Sequence, residues 1–147
     1  MIIKELSILS EVQVKDILSL MGELTTSIVV TPDMLMQSVA SENSYFFAII
    51  DDNDHIVGCA TLCVFDSPTG KKASVEDVVV SSQCRGQGLG RLLMQHVIEF
   101  AKTELRNVDI HLTSSPHRVA ANKLYQRLGF QKRETNAYEM RIRDGEE

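Results

Sequence analysis

Apolar residues recur along this chain with two periods, and the points where the period changes divide it into elements. Ile2 to Leu6 reads as a short strand, after which Val14, Ile17, Leu18, Met21 and Leu24 return at spacings of three and four. That spacing predicts a helix over about Val12 to Leu24, because it keeps the apolar side chains on one face. Thr31-Pro32 predicts the start of a second short helix, with Thr31 as N-cap, Pro32 at the first helical position, and Met34, Leu35 and Val39 as its apolar side.

The period then shortens. Tyr45 to Ile50, His55 to Phe65 and Ala73 to Val80 read as strands, separated by the turns Asp51-Asp52-Asn53-Asp54 and Ser67-Pro68-Thr69-Gly70. Two such turns predict an antiparallel meander. From Leu89 the pattern is helical again, with Leu89, Leu93, Val97, Ala101 and Leu105 four apart. Val108, Ile110 and Leu112 alternate as a strand. Ser115-Pro116 predicts the opening of a last helix, with Ala120, Leu124 and Leu128 as its buried row and Gly129 as a left-handed stop. Two closing strands are expected at about Phe130 to Arg133 and Tyr138 to Ile142. The element order predicts a mixed α/β fold (α+β mixed sheet) with about seven strands and four helices.

With 147 residues, 44% of them hydrophobic, the chain fits one domain over 1–147 that buries its own core. It shows neither an internal repeat nor a linker. Cys59, Cys63 and Cys84 are odd in number and form no Cys-x-x-Cys pair, so they read as reduced core or loop residues, with no metal site. Met1-Ile2-Ile3-Lys4-Glu5 lacks a targeting pattern, and no run approaches the roughly 18 apolar residues that cross a bilayer. These features predict a soluble cytoplasmic protein without a membrane partner. The net charge of −5 argues against a nucleic-acid partner and suits a cationic substrate such as a protonated amine.

That same charge means a polyanionic ligand must be held by a local device. Such a device stands after Val75-Glu76-Asp77-Val78-Val79-Val80, in Arg85-Gly86-Gln87-Gly88-Leu89-Gly90-Arg91. Glycines between a strand and a helix free the backbone and allow a ligand to approach it closely. Successive N–H groups at a helix start, aided by the macrodipole, suit a pyrophosphate. A Walker loop would need Lys and then Ser or Thr after its last glycine, where Arg91 and Leu92 stand. A dinucleotide fingerprint would need a third glycine at Arg91 or Leu93. Neither nucleotide motif is met.

Arg85-Gly86-Gln87-Gly88-Leu89-Gly90 resembles the acetyl-CoA motif of the GNAT superfamily of N-acetyltransferases: Arg or Gln, two residues, Gly, one residue, then Gly or Ala. The likeness continues through Ala120-Ala121-Asn122-Lys123-Leu124-Tyr125 to Leu128-Gly129-Phe130, a second hallmark of that superfamily. Together the two cover roughly the C-terminal half of the chain. The resemblance implies that Val78, Val79 and Val80 carry the pantetheine arm of acetyl-CoA through backbone groups, chiefly those of Val78 and Val80. It further implies that the amides of Arg85, Gly86, Gln87, Gly88, Leu89, Gly90 and Arg91 hold the pyrophosphate. For Arg85 and Arg91 the plainer alternative is a solvated charge.

Acetyl transfer to an amine needs a neutral amine, stabilisation of a developing oxyanion and a proton for the departing thiolate. The resemblance implies direct attack, the usual course in that superfamily, so neither Cys84 nor a serine need be a nucleophile. Tyr125 is the expected proton donor, as a phenol protonated at neutral pH. Arg118, Asn122 and Tyr125 share one stripe of the last helix. Many members of the superfamily carry an Asn seven residues before this tyrosine, where Arg118 stands. Asn122 is the residue expected to bind the cofactor instead. The resemblance implies Glu76 as the leading general base, since members of the superfamily often place a carboxylate at the start of this strand, with Asp77 on the opposite face by strand alternation; binding of the ammonium by Glu76, or a water relay, are the alternatives.

The acceptor site is implied to lie along Leu20 to Pro32 and Glu134 to Tyr138. Three functions remain open: an acetyltransferase for a small amine or amino sugar, a protein N-terminal or lysine acetyltransferase, and a non-catalytic acyl-CoA-binding module. Val75 to Val80 is locally similar to the matching run of glucosamine-6-phosphate acetyltransferases, and the expectation of a single domain without an added recognition domain favours the first. Homodimers are common among proteins it resembles, and no residue pattern here decides the matter.

Overall fold

The computed structural model describes residues 1–145. Their order is β1 (Ile2–Leu6), α1 (Glu11–Leu24), α2 (Pro32–Ala40), β2 (Ser44–Ile50), β3 (Ile56–Ser67), β4 (Gly70–Val80), α3 (Leu89–Phe100), β5 (Asp109–His111) and α4 (Val119–Arg127). The chain groups into two compact units, Met1–Thr113 and Ser114–Glu147.

In the first unit the strands lie in the order β1-β2-β3-β4-β5, antiparallel except for the parallel β4–β5 pair. A parallel pair cannot be joined by a tight turn, and α3 supplies the crossover. Side chains on one face of the sheet, among them Phe46, Ala48, Ile50, Cys59 and Val79, form a core with Ile17, Leu20, Met21, Leu35 and Val39 of α1 and α2. Alternation sends Phe47 and Ile49 to the other face. There Phe47 meets His96 and Phe100 edge-on, at centroid distances of 5.6 and 5.2 Å. Leu89, Leu93, Val97 and Ala101 of the expected α3 row are buried.

Local signals fix the helix ends. Ser10 and Gln13 cap α1 reciprocally, each side chain bonding the other's backbone N–H (3.2 and 2.9 Å). Thr31 caps α2 as expected, its hydroxyl accepting from the Met34 N–H at 3.2 Å. Asp16 then pins α1 to the sheet, accepting from the Ile56 N–H (3.0 Å) and pairing with His55 (3.1 Å).

Two expectations need correction. Among the described residues the sheet has five strands, where about seven were expected. Phe130 to Arg133 and Tyr138 to Ile142 form no strand, and Tyr138, Met140 and Ile142 are 90, 85 and 81% exposed. Alternation marks a segment able to pair, whereas a strand exists only where a neighbour supplies the hydrogen bonds. The last helix also begins later than Ser115-Pro116, at Val119, because Ser115 to Arg118 first close a turn (Arg118 N–H to Ser115 carbonyl, 3.0 Å).

The crowding around Gly58 yields a test. A Cβ there would lie 2.8 Å from Ile49 Cδ1 and 3.1 Å from the Val79 carbonyl oxygen, while one at Gly22 in α1 would meet nothing within 4 Å. Gly58→Ala is expected to lower stability by about 1–3 kcal/mol. Gly22→Ala is expected to raise it by up to about 1 kcal/mol. Urea denaturation midpoints measure both.

Candidate active site

β4 and β5 touch only through Lys72, Ala73 and Ser74, opposite Asp109, Ile110 and His111. From Val75 to Val80, β4 keeps β3 on one side, and no strand borders its other side among the described residues. The Ser81 N–H donates to the Val57 carbonyl at 2.8 Å, so backbone groups at Ser81 and, two residues earlier, Val79 turn toward β3. By alternation those of Val80 and Val78 turn to the open side, the edge to which an extended amide-bearing chain adds. Val79 is placed otherwise, with its backbone toward β3 and its side chain in the core.

β4 ends in one 3₁₀ turn, Ser82–Cys84, and the chain enters α3 through two residues of positive φ, Gly86 (82°) and Gly88 (72°). Neither glycine is crowded, so the requirement there is conformational. Gly90, by contrast, sits in the first helical turn without positive φ. Gly88 is the N-cap of α3, and no side chain caps this end. The first-turn N–H groups therefore lack a helical acceptor, and the dipole adds positive potential beside the exposed Arg85 and Arg91. The turn fits a diphosphate.

Glu23, which the sequence did not single out, braces this turn. Its carboxylate accepts the Ser82 N–H at 2.9 Å across 59 residues. Hydrogen bonds from the Ser82 hydroxyl and N–H hold its carboxyl below the ordinary value, and the Arg85 charge adds to the effect.

A bulge alters the reading of Glu76 and Asp77. Thr61 opposes Glu76 and Cys59 opposes Val79, so Ala60 alone faces two residues, Asp77 and Val78. Without the extra residue, Glu76 and Val79 would lie on opposite faces. With it, Glu76 shares the face covered by α1 and α2. Asp77 takes up the kink with φ of 53°, a conformation that Asp tolerates better than most residues. The sequence held one cue: simple alternation would bury Asp77 between Val75 and Val79.

The Ser74 hydroxyl donates to Glu76 Oε1 at 2.6 Å, which leaves the second carboxylate oxygen free. Burial pushes the Asp77 carboxyl up, and the neighbouring Glu76 adds to it. Burial, with Asp77 second, pushes the Cys59 thiol up to about 12, so Cys59 carries no thiolate at neutral pH.

In the second unit, Tyr125 is the one buried residue of α4, at 7% exposure. The expected row of Ala120, Leu124 and Leu128 is not the buried one: Ala120 is exposed, and the two leucines are half-buried. The aromatic ring covers more apolar area than any other side chain in this helix. Burial pushes the Tyr125 phenol up, partly offset by Arg118. Asn122 spends both N–H donors on the carbonyls of Ser115 and Arg118, each at 2.9 Å. Its amide oxygen remains as an acceptor. Among the described residues, no His, Cys, Asp and Glu group could hold a metal ion, and no helix is long and apolar enough to cross a membrane.

Comparison with known proteins places this geometry. The acetyltransferase (GNAT) family profile matches residues 17–130. N-acetyltransferase 8B of Rattus norvegicus is 32% identical over 100 residues, covering 67% of this chain and 45% of that protein. N-acetyltransferase 8F1 of the same organism is 36% identical over 88 residues, covering 58% of this chain and 39% of that protein. The chain thus spans less than half the length of these curated relatives. The crystal structure of glucosamine-6-phosphate N-acetyltransferase from Arabidopsis thaliana superposes with a TM-score of 0.70 at 19% identity, covering 94% of this chain and 96% of that one. At that identity the likeness shows the fold.

Two outcomes follow from the site geometry. Because Gly88 is needed for its positive φ, Gly88→Asn is expected to keep acetyl-CoA affinity within about threefold, whereas Gly88→Val loses about 1–2 kcal/mol of stability or binding. Calorimetric titration and thermal melts separate the two. For Asp77 the raised folded-state pKa means that ionisation costs stability once pH climbs through it, and this cost is absent below the ordinary carboxylate value of about 3.9. Asp77→Asn is therefore expected to melt higher than the parent at pH 7 and to show no gain near pH 3.

Proposed function

The chain belongs to the GNAT acetyltransferase family, and from that premise we propose that it moves an acetyl group from acetyl-CoA to the primary amine of a small molecule. The observation that carries this reading is the pairing of an open β4 edge with an uncapped, glycine-led start of α3. The first offers backbone groups of Val78 and Val80 to a pantetheine arm, with Val79 as the core-facing residue between them. The second offers the amides from Arg85 through Gly86, Gln87, Gly88, Leu89 and Gly90 to Arg91 to a diphosphate. Asn122 contributes through its amide oxygen. The chain acts in this reading as one catalytic domain.

When bound, acetyl-CoA supplies the activated thioester carbonyl. Glu76 takes the proton of the incoming amine at its free carboxylate oxygen, so that nitrogen presents a lone pair. Tyr125 holds a proton at its hydroxyl for the sulfur as the carbon–sulfur bond breaks, and solvent restores that proton. The desolvated ring keeps the phenol neutral at working pH. The high pKa of Cys59 leaves it no part as a nucleophile, in keeping with direct attack. A net charge of −5 favours a cationic acceptor, and the face of Glu76 borders the helices that carry the proposed acceptor segment, Leu20 to Pro32.

Tyr125→Phe is expected to lower kcat by about 10–100-fold while acetyl-CoA affinity stays within about twofold. The alkaline limb of kcat should lie above the ordinary phenol value of about 10 and vanish in the variant. A limb well below that value would remove Tyr125 from the role. Thiol release with panels of small amines, amino sugars and peptides tests the acceptor class: turnover confined to peptides would replace the small-molecule reading, and tight CoA binding without any turnover would end the catalytic one.

A further inference from the structure

Tyr125 stands in the last turn of α4, where helices fray, and its surroundings are built against fraying. The helix ends with Gly129 at φ of 105°, the Gly129 N–H donates to the Gln126 carbonyl at 3.1 Å, and the Phe130 N–H donates to the Tyr125 carbonyl at 3.0 Å. These two bonds are the paired closure of a Schellman motif, which brings the residue after the glycine back over the helix. Here that residue is Phe130. Its ring meets the Tyr125 ring edge to face, with centroids 6.1 Å apart and planes at 73°. One residue thus fixes Tyr125 twice, by a hydrogen bond to its backbone and by an aromatic contact with its ring.

We infer that Phe130 is a positioning residue for Tyr125, acting through the closed end of α4 to aim the phenol that the proposed reaction uses as its acid. The inference rests on that reading of Tyr125. A tyrosine side chain has two free torsions. The backbone bond fixes the carrier of the first, and the edge-to-face contact restrains both. A displacement of about 1 Å in a catalytic group lowers a rate by as much as about a hundredfold, so a ring that only restrains its neighbour has a kinetic signature. Gly129 is the enabling residue, because its positive φ brings Phe130 back onto the helix. The glycine and the phenylalanine of Leu128-Gly129-Phe130 thereby serve a single geometric task.

The test is a double-mutant cycle with a spectroscopic arm. Phe130→Leu is expected to lower kcat about tenfold, to leave the acetyl-CoA KM within about twofold, and to cause no further loss in a Tyr125→Phe background; Phe130→Tyr should keep kcat within about twofold of the parent. Independently of turnover, ultraviolet titration of the free protein minus its Tyr125→Phe variant isolates one phenol among Tyr45, Tyr125 and Tyr138. In Phe130→Leu that phenol should titrate lower than in the parent, as the ring loses its cover.

Equal losses in both backgrounds with an unmoved phenol would overturn the inference and leave Phe130 a packing residue. If Tyr125→Phe retained full turnover, the acid reading would fall and the titration would decide positioning by itself, a downward shift sustaining it and no shift ending it. Phe130→Met, which keeps the bulk without the ring, gives the same comparison should Phe130→Leu not fold.

Discussion

Main-chain N–H and C=O groups need partners, and along β4 from Val75 to Val80 the sheet of the described residues supplies them on one side only. β5 leaves β4 after Ser74, and beyond that point β4 is an edge of the sheet among the described residues. A few residues later the start of α3 repeats the condition, since Gly88 caps it without a side chain. Unpaired donors and acceptors in two adjacent stretches, one extended and one at a helix start, match a ligand that is part amide chain and part diphosphate. Acetyl-CoA, the donor that the GNAT family generally uses, is the molecule the proposed function places there.

The first unit holds those two stretches in register. Asp16 ties α1 to the start of β3, and Glu23, two turns further along the same helix, ties it to the Ser82 turn. The end of α1 and the glycine-rich turn before α3 are thus braced together. Between them the bulge at Asp77 places Glu76 on the face of α1 and α2, at the cost of a left-handed aspartate and of two carboxylates side by side. Strain and like-charge crowding meet at one point of a strand otherwise paired to β3, which is the point where the proposed reaction has its base.

The second unit follows the same economy of means. Its helix buries one residue, Tyr125, and the closing turn after it bonds back to that residue's carbonyl. Burial pushes the phenol up, and the Phe130 ring meets it edge to face. Asn122 is turned toward the entry of the helix, on the carbonyls of Ser115 and Arg118, so both ends of α4 are fastened.

Much of this was written locally. The spacing of Leu89, Leu93, Val97 and Ala101 determined α3 and its buried face, Thr31-Pro32 determined the start of α2, and the glycines after Cys84 determined a turn that requires positive φ. These features depend on interactions within a few residues, which is why they are legible in a string. Tertiary structure decided the rest. The bulge depends on how many residues of β4 must fit opposite Ala60, and the open edge on where β5 departs. That Tyr125, and not the leucine row, is buried depends on what packs around α4, and the absence of strands after Gly129 among the described residues depends on a missing neighbour. Each is a pairing between residues far apart in sequence, whose free energy belongs to the assembled surface and to neither segment by itself.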